Sequence, residues 1–311
     1  MFRFIKSTIP RPSSFMPATE RILQIHNMVS PQKKSHSTVA FIGGGNMAEA
    51  IIGGMVSSGH PSSCITFSDL AEQRRDYMKS KYPDIESSAD NLAVIAKADV
   101  VILAVKPQVL HTVVTGIADT LQANKPLVVS IVAGIAAADI DRWIGGSQSS
   151  IVRCMPNTPA LVGEGAAGLY ATEAVTNQQK DMAEKIVQAI AKEYSWVDSE
   201  NLIDAVTAIS GSGPAYFFLI MEAMENAGVE AGLSREDAKA LTIQTCLGAA
   251  KTAQDSDDDL ATLRRKVTSP KGTTEAAIKA LEDGHIRDVM GNAVKAAFRR
   301  SHELAELFGK Q

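Results

Sequence analysis

Cysteine is scarce in this chain. Cys64, Cys154 and Cys246 are the only three in 311 residues, widely separated and without any C-x-x-C spacing. An odd, scattered set excludes a disulfide framework, offers no zinc signature and fits a reducing compartment. Aromatic residues are also few, at 5%. The apolar weight falls instead on Ala, Val, Ile and Leu, which suits strands buried on both faces and closely packed helices. No uninterrupted apolar run approaches the roughly 18 residues that mark a membrane span, so a soluble protein is expected. The small formal charge of −4 conceals an uneven distribution: residues 1–37 hold six basic side chains against Glu20 alone, leaving 25 basic and 34 acidic residues in the remainder. An acidic body offers little to a nucleic acid or an anionic membrane, and a small solute is the expected ligand.

Residues 1–37 are Ser-rich, basic and poor in acids, the composition of an organellar transit peptide. No clear cleavage signal accompanies that composition, which favours a flexible tail, or upstream sequence read from too early a start, with Met16 and Met28 as later starts. The expected location is the cytoplasm, or the mitochondrial matrix if this leader is a transit peptide.

From Val39 onward, short β-branched runs alternate with helical patterns: VAFI (39–42), CITFS (64–68), DVVILAV (99–105), PLVVSIV (126–132) and SSIVRCM (149–155). Such alternation predicts βαβ crossovers and a doubly wound parallel α/β sheet. AAGLYAT, a helix near 176–192 and YSWVD extend the pattern. After Asn201 the strand signal ceases, and four Ala-rich segments carry helical spacing to the chain end. The expected organisation is a leader (1–37), a dinucleotide-binding domain of the Rossmann type (38–200) and an all-helical domain (201–311). Ala-rich apolar helices of this kind favour burial against a second copy of the chain. The acidic triplet at 257–259 reads as a turn or a helix start.

VAFIGGGNMAEAIIGGM places G-x-G-x-x-A (Gly43, Gly45, Ala48) between a strand and a helix. Gly43 permits the tight turn, Gly45 lets backbone approach a pyrophosphate, and Ala48 lets helix and strand pack closely. The helix N-terminus then favours phosphate through its N–H groups and dipole. No G-K-[ST] follows, so phosphoryl transfer loses its main support and hydride transfer leads. The second strand ends at Ser68 and Asp69, where an acid would bind the ribose hydroxyls of NAD and repel the 2′-phosphate of NADP. Arg74 and Arg75 stand close by, and Asp69 could equally be a helix N-cap. AVKPQ ends a further strand at the sheet edge that takes ligands, making Lys106 a candidate for cofactor or carboxylate.

Near the far end, LRRKVTSPKGTTEAAIKALEDG joins a helix-breaking turn to two threonines and a helix. Free N–H groups at Gly272, Thr273 and Thr274, beside the hydroxyls of Ser269 and Thr274, make a neutral seat for a small carboxylate. A plain capping box, with Thr273 or Thr274 as N-cap, is the competing reading.

Over residues 38–308 the chain resembles the pyrroline-5-carboxylate reductases, through FIGGGNMAEAI, AVKPQ, RCMPNTPALVGEG, LIDAVTAISGSGPAYFF and VTSPKGTTEAAI. The resemblance implies NAD(P)H-dependent reduction of (S)-1-pyrroline-5-carboxylate to L-proline, the last step of proline biosynthesis. NADP(H) is the expected cofactor, with NAD(H) as second choice. Ile42, Gly43, Gly44, Gly45, Asn46 and Met47 then resemble the pyrophosphate turn, with Ser68, Asp69 and Asn91 on the ribose side. Ala104, Val105, Lys106 and Pro107, with Ile131, Val132 and Ala133, resemble walls near the nicotinamide. Ser269, Gly272, Thr273 and Thr274 resemble the loop holding the substrate, with Thr274 orienting it and Glu200 as a further contact. Lys271 departs from the usual glycine of S-P-G-G-x-T and is tolerable there if its φ is negative. The resemblance also implies interleaved homodimers, gathered into a decamer in some members.

Other features carry less. The six histidines form no ligand spacing and no Ser-His-Asp order. Cys154 reads as packing, and Ser210 to Pro214 reads either as a phosphate loop or as a structural helix start. A β-hydroxyacid dehydrogenase would place a catalytic lysine on a helix of the second domain, and none is convincing here. A non-catalytic NAD(P) sensor would lose the substrate loop, whereas Ser269, Gly272 and Thr274 are intact.

Overall fold

The computed structural model describes residues 36–309. All but the last two residues of the leader lie outside that range. The elements of the sheet half run β1 (Val39–Ile42), α1 (Asn46–Ser57), β2 (Ile65–Ser68), α2 (Glu72–Lys81), β3 (Glu86–Ser88), α3 (Asn91–Ile95), β4 (Val100–Leu103) and α4 (Pro107–Asn124). They continue as β5 (Leu127–Ser130), α5 (Ala137–Ile144), β6 (Ile151–Met155), β7 (Gly165–Ala171), α6 (Asn177–Gln188) and β8 (Ala191–Trp196).

The strand runs form because alternate residues leave the sheet on opposite faces and both faces are covered. Phe41, Phe67, Ile102 and Val129 pack on one side with Ile51, Ile52 and Met55 of α1 and Ile186 of α6. Ala40, Ile42, Val101 and Val128 pack on the other with Leu110, Val114 and Leu121 of α4 and Ile140 of α5. The strand order is β3-β2-β1-β4-β5-β6-β7-β8. It reverses direction between β1 and β4, which opens a crevice at the carboxyl ends of those strands.

Two features depart from the sheet expected from the sequence. β7 pairs antiparallel with β6, and β8 runs parallel to β7. The link from Met155 to Gly165 is a short irregular stretch with a 3₁₀ turn (Thr158–Val162), too brief for the dozen or more residues a parallel crossover needs. β3 was not foreseen, since three polar residues carry no apolar run.

The helical half comprises α7 (Leu202–Val206), a π turn (Thr207–Gly211), α8 (Gly213–Glu230), α9 (Arg235–Gln254), α10 (Leu260–Lys266), α11 (Thr273–Asp283) and α12 (Ile286–Gly309). Ser234 caps α9 by accepting the Asp237 N–H, and Asp259 caps α10 by accepting that of Thr262. The acidic triplet is thus a helix start. The Ser210 to Pro214 segment continues the helix through the π turn. The stretch Leu202–Glu230 is long enough to cross a membrane and contains an 18-residue window apolar enough to do so, with mean hydropathy 1.3. The small residues within it leave no single unbroken apolar run, which is why counting runs passes over it. Phe217, Phe218 and Leu219 are exposed, as are Leu241, Ile243 and Leu247 of α9.

Within the helical half, Ser301 of α12 donates to Asp204 of α7 at 2.6 Å, with both residues buried. The two halves are joined by polar and apolar contacts. The Arg142 guanidinium of α5 reaches the Gly309 carbonyl, and Phe308 packs against the α4/α5 face.

Packing is tight where α1 crosses the α6–β8 link. A Cβ at Gly54 would come within 2.1 Å of the Ala189 carbonyl oxygen. Gly54→Ala is therefore expected to lower stability by roughly 1–3 kcal/mol in urea denaturation, although alanine is the better helix former. An unchanged midpoint would show that α1 has room to move.

Candidate active site

The carboxyl edge of the sheet gathers the predicted cofactor residues through one chain of backbone hydrogen bonds. The Asp69 N–H donates to Ser88, the Gly43 N–H to Ser68, the Ala104 N–H to Ile42 and the Ile131 N–H to Leu103, at 2.9–3.2 Å. Residues separated by some 90 positions thus form one rim. Asn91 opens α3 just beyond β3, after Asp90, whose side chain accepts the Leu92 N–H. Lys106 is exposed at the N-cap of α4, and Pro107 takes the first helical position, where its missing N–H costs nothing.

The glycines of the turn serve different ends. Gly43 has φ +101°, and a Cβ there would meet the Ala104 carbonyl oxygen at 2.6 Å. Gly44 is confined by the Phe67 ring at 3.0 Å. At Gly45 a Cβ would meet nothing within 4 Å, so the protein's own packing does not demand a small residue. Gly45 is also the N-cap of α1 and brings no side chain to its N–H groups. An open space before an uncapped helix N-terminus is the fit expected for a dinucleotide pyrophosphate. Ala48 is buried against the strand.

Asp69 is not a helix N-cap. Its Oδ2 accepts the Gly44 N–H at 3.0 Å and its Oδ1 the Ala71 N–H at 2.9 Å, so the carboxylate braces the glycine turn from β2. Arg74 bonds the Gly44 carbonyl through Nε and pairs with Glu49 of α1 at 2.6 Å. Burial raises the Glu49 pKa, but hydrogen bonds from Lys81, Arg74 and Tyr77 outweigh that and hold it below the usual carboxylate value. The contribution of this cluster is therefore complete at neutral pH and lost as pH falls below the carboxylate range. Arg75 donates to the Asp69 carbonyl at 2.6 Å, which keeps its guanidinium at the end of β2.

Glu200 lies between the halves. Its Oε1 accepts the Ala137 N–H at 2.6 Å and pairs with Arg153 of β6 at 3.0 Å. Asn157 donates to the Ser210 carbonyl and accepts the Ala166 N–H. Cys154 is buried, which pushes its thiol up to about 12 and leaves no thiolate at neutral pH. Sequence reasoning missed Arg153 and Glu49 as supports, because a charged residue in or beside an apolar run gives no sign of its distant partner.

The turn before α11 differs from expectation in two ways. Gly272 is the N-cap of α11, so neither Thr273 nor Thr274 spends its hydroxyl as a cap. Lys271 has φ +60°, against the negative value that would make it easy to accommodate. Its N–H donates to Glu275 Oε2 at 2.7 Å, and the Gly272 N–H donates to the Ser269 carbonyl at 3.0 Å. The loop is stiffened from within, which compensates the strain at Lys271. Ser269 and Thr273 are exposed, while Gly272 and Thr274 are half-buried. The hydrogen bonds of this loop run within it and to its flanking helices rather than to the rim of β1–β5.

Gly45→Ala should fold with an unchanged melting temperature yet bind a reduced nicotinamide dinucleotide about tenfold more weakly by fluorescence titration, as the new methyl meets ligand and not protein. Gly43→Ala should lose stability and binding together, since it combines positive φ with a backbone clash. Equal behaviour of the two variants would sink the distinction. Lys271→Gly should raise stability by roughly 0.5–1 kcal/mol by relieving the left-handed lysine; a lower denaturation midpoint would contradict that strain.

Comparison with known proteins adds to this geometry. The family model for pyrroline-5-carboxylate reductase dimerisation matches residues 200–304, and that for NADP oxidoreductase, coenzyme F420-dependent, matches residues 38–134. The chain is 47% identical over 272 residues to the pyrroline-5-carboxylate reductase of Pseudomonas aeruginosa, covering 88% of this chain and 98% of that protein. It is 41% identical over 270 residues to the Arabidopsis thaliana enzyme, covering 86% and 95%. Among solved structures, the Coxiella burnetii reductase superposes with a TM-score of 0.83 at 43% identity, covering 87% of this chain and 99% of that one. The Plasmodium falciparum reductase, with NADP bound, gives 0.76 at 29% identity, covering 86% and 98%. A glycine turn open to a dinucleotide, a helical half matched as a dimerisation domain and near full-length identity to several such enzymes agree, and the chain belongs to the pyrroline-5-carboxylate reductase family.

Proposed function

We propose that two separate devices of this chain divide the reduction of (S)-1-pyrroline-5-carboxylate to L-proline: the rim of β1–β5 holds NADPH, and the loop 269–274 holds the substrate. The reaction adds a hydride to the imine carbon and a proton to nitrogen, oxidising NADPH to NADP⁺. The chain is an oxidoreductase of proline biosynthesis. The observation that carries the substrate assignment is the α11 N-terminus, where Gly272 as N-cap leaves the N–H groups of Thr273 and Thr274 without a side-chain cap, beside the hydroxyls of Ser269 and Thr274.

When bound, the cofactor supplies the hydride. The turn Ile42 to Met47 would hold its pyrophosphate, Ser68, Asp69 and Asn91 its ribose side, and Ala104 to Pro107 with Ile131 to Ala133 its nicotinamide. The loop's N–H groups and the Ser269 hydroxyl hold the substrate carboxylate by charge-assisted hydrogen bonds. The Thr274 hydroxyl bonds the ring nitrogen and orients the imine carbon. A threonine is too weak an acid at neutral pH to supply the proton, which arrives with a protonated imine or through water. The protein's work is orientation.

NADPH is the preferred donor in this reading. Both Asp69 oxygens already accept backbone N–H groups, and Arg75 stands at the end of β2 to meet a 2′-phosphate. The functional unit is a homo-oligomer. A second copy covers the exposed apolar residues of α8 and α9 and brings the loop of one copy to the rim of another, with dimers gathering into a decamer. The compartment proposed is the cytoplasm.

Substrate-dependent oxidation of NADPH and NADH, followed at 340 nm, tests the assignment. Thr274→Ala should fall roughly 10- to 100-fold in kcat/KM with an unchanged melting temperature, the worth of one or two hydrogen bonds to the reacting group. Unchanged kinetics would remove Thr274 from the site. Arg75→Ala should raise the KM for NADPH about tenfold and leave that for NADH within twofold; equal effects on both would remove the 2′-phosphate role.

A further inference from the structure

One oxygen of the Glu200 carboxylate, Oε1, is committed within the protein, at the seam between the two halves. Oε1 accepts the Ala137 N–H at 2.6 Å and the Arg153 guanidinium at 3.0 Å. Ala137 is the first residue of α5, and the residue before it, Ala136, brings no side-chain acceptor to the helix start. Glu200 therefore supplies from 63 positions away an acceptor the local sequence lacks. Arg153 lies opposite Ser130, the last residue of β5, in the β5–β6 ladder, and only 7% of its side chain is exposed. A guanidinium so enclosed requires its counter-charge.

The same carboxylate thus links both ends of the segment 131–136, one through the strand beside β5 and the other through the first N–H of α5. Within the segment the other bonds are sparse. Ile131 donates to Leu103 at 3.2 Å, Val132 donates to the Ser130 hydroxyl at 3.4 Å, and Gly134 turns through φ +70°.

We propose that Glu200 is a positioning residue for the reduction, acting through Ala137 and Arg153 to hold 131–136 at the depth required of a nicotinamide wall, rather than a group that touches the substrate. This rests on the reading of Ile131 to Ala133 as that wall. Removing the tie lets the wall shift by a fraction of an ångström, which misaligns the donor without removing any contact to the pyrroline.

Three quantities on Glu200→Ala and Glu200→Gln test this: kcat, the KM for pyrroline-5-carboxylate, and the fluorescence emission of enzyme-bound NADPH, which reports the nicotinamide's surroundings with or without turnover. Glu200→Ala should lose about tenfold or more in kcat, keep its substrate KM within about twofold and shift the bound emission. Glu200→Gln keeps an oxygen that can accept from both Ala137 and Arg153 but not its charge, and should recover kcat only in part, to about threefold or more above the alanine variant, with emission nearer that of wild type. A raised substrate KM with unchanged emission in the alanine variant would overturn the proposal and make Glu200 a substrate contact. Wild-type kcat and emission in the alanine variant would overturn it outright. If Glu200→Ala does not fold because Arg153 is stranded, the paired substitution Arg153→Leu with Glu200→Leu removes both charges. The same fall in kcat and shift in emission are expected of it, and wild-type values would overturn the proposal. Should the wild-type protein bind NADPH yet reduce no pyrroline-5-carboxylate, the functional reading fails, while the emission shift still decides the role of Glu200.

Discussion

The rim on which a dinucleotide can lie depends on the approach of Gly43 to the Ala104 carbonyl. Two parallel strands, β1 and β4, end side by side at the point where the sheet reverses its order, and the chain must leave both without obstructing the crevice. A side chain at Gly43 would strike the neighbouring backbone at 2.6 Å. With that position open, the hydrogen bonds from Ser88 across to Ile131 can form a continuous edge. Phe67, Asp69 and Arg74 then secure the turn from the β2 side.

The charged residues around the rim act mainly on the protein itself. Asp69 braces Gly44, Arg74 is shared between the Gly44 carbonyl and Glu49, and Glu200 neutralises Arg153 while accepting from α5. Such supports set the orientation of groups that meet a ligand, which is where a hydride transfer gains most of its rate. They also explain how an acidic chain can bind a polyanionic cofactor. In the proposed mode of binding the phosphates would meet N–H groups and a helix dipole, while the nearby carboxylates are turned inward and paired.

The helical half is built for company. The stretch from Leu202 to Glu230 contains a window apolar enough to pass for a membrane span, yet it belongs to a segment matched as a dimerisation domain. Its exposed Phe217, Phe218 and Leu219 resemble a core cut in half. The loop 269–274 sits on this half, stiffened by its own hydrogen bonds, and the strained Lys271 is held by Glu275.

Local chemistry made much of this legible in the sequence. Apolar strand runs and a glycine turn between strand and helix report their own conformations, because strand burial and tight turns need particular residues at particular spacings. What escaped was non-local. The reversal at β7 and the short polar β3 follow from connection length and edge pairing. The left-handed Lys271, the use of Asp69 as a brace and the commitment of Glu200 to Ala137 and Arg153 each depend on a second group, 4 to 63 positions away. A sequence displays which groups can ionise or accept a hydrogen bond; only tertiary structure decides which of them meet, because the energy of a buried charge is set by its distance to a counter-charge and by the water excluded around both.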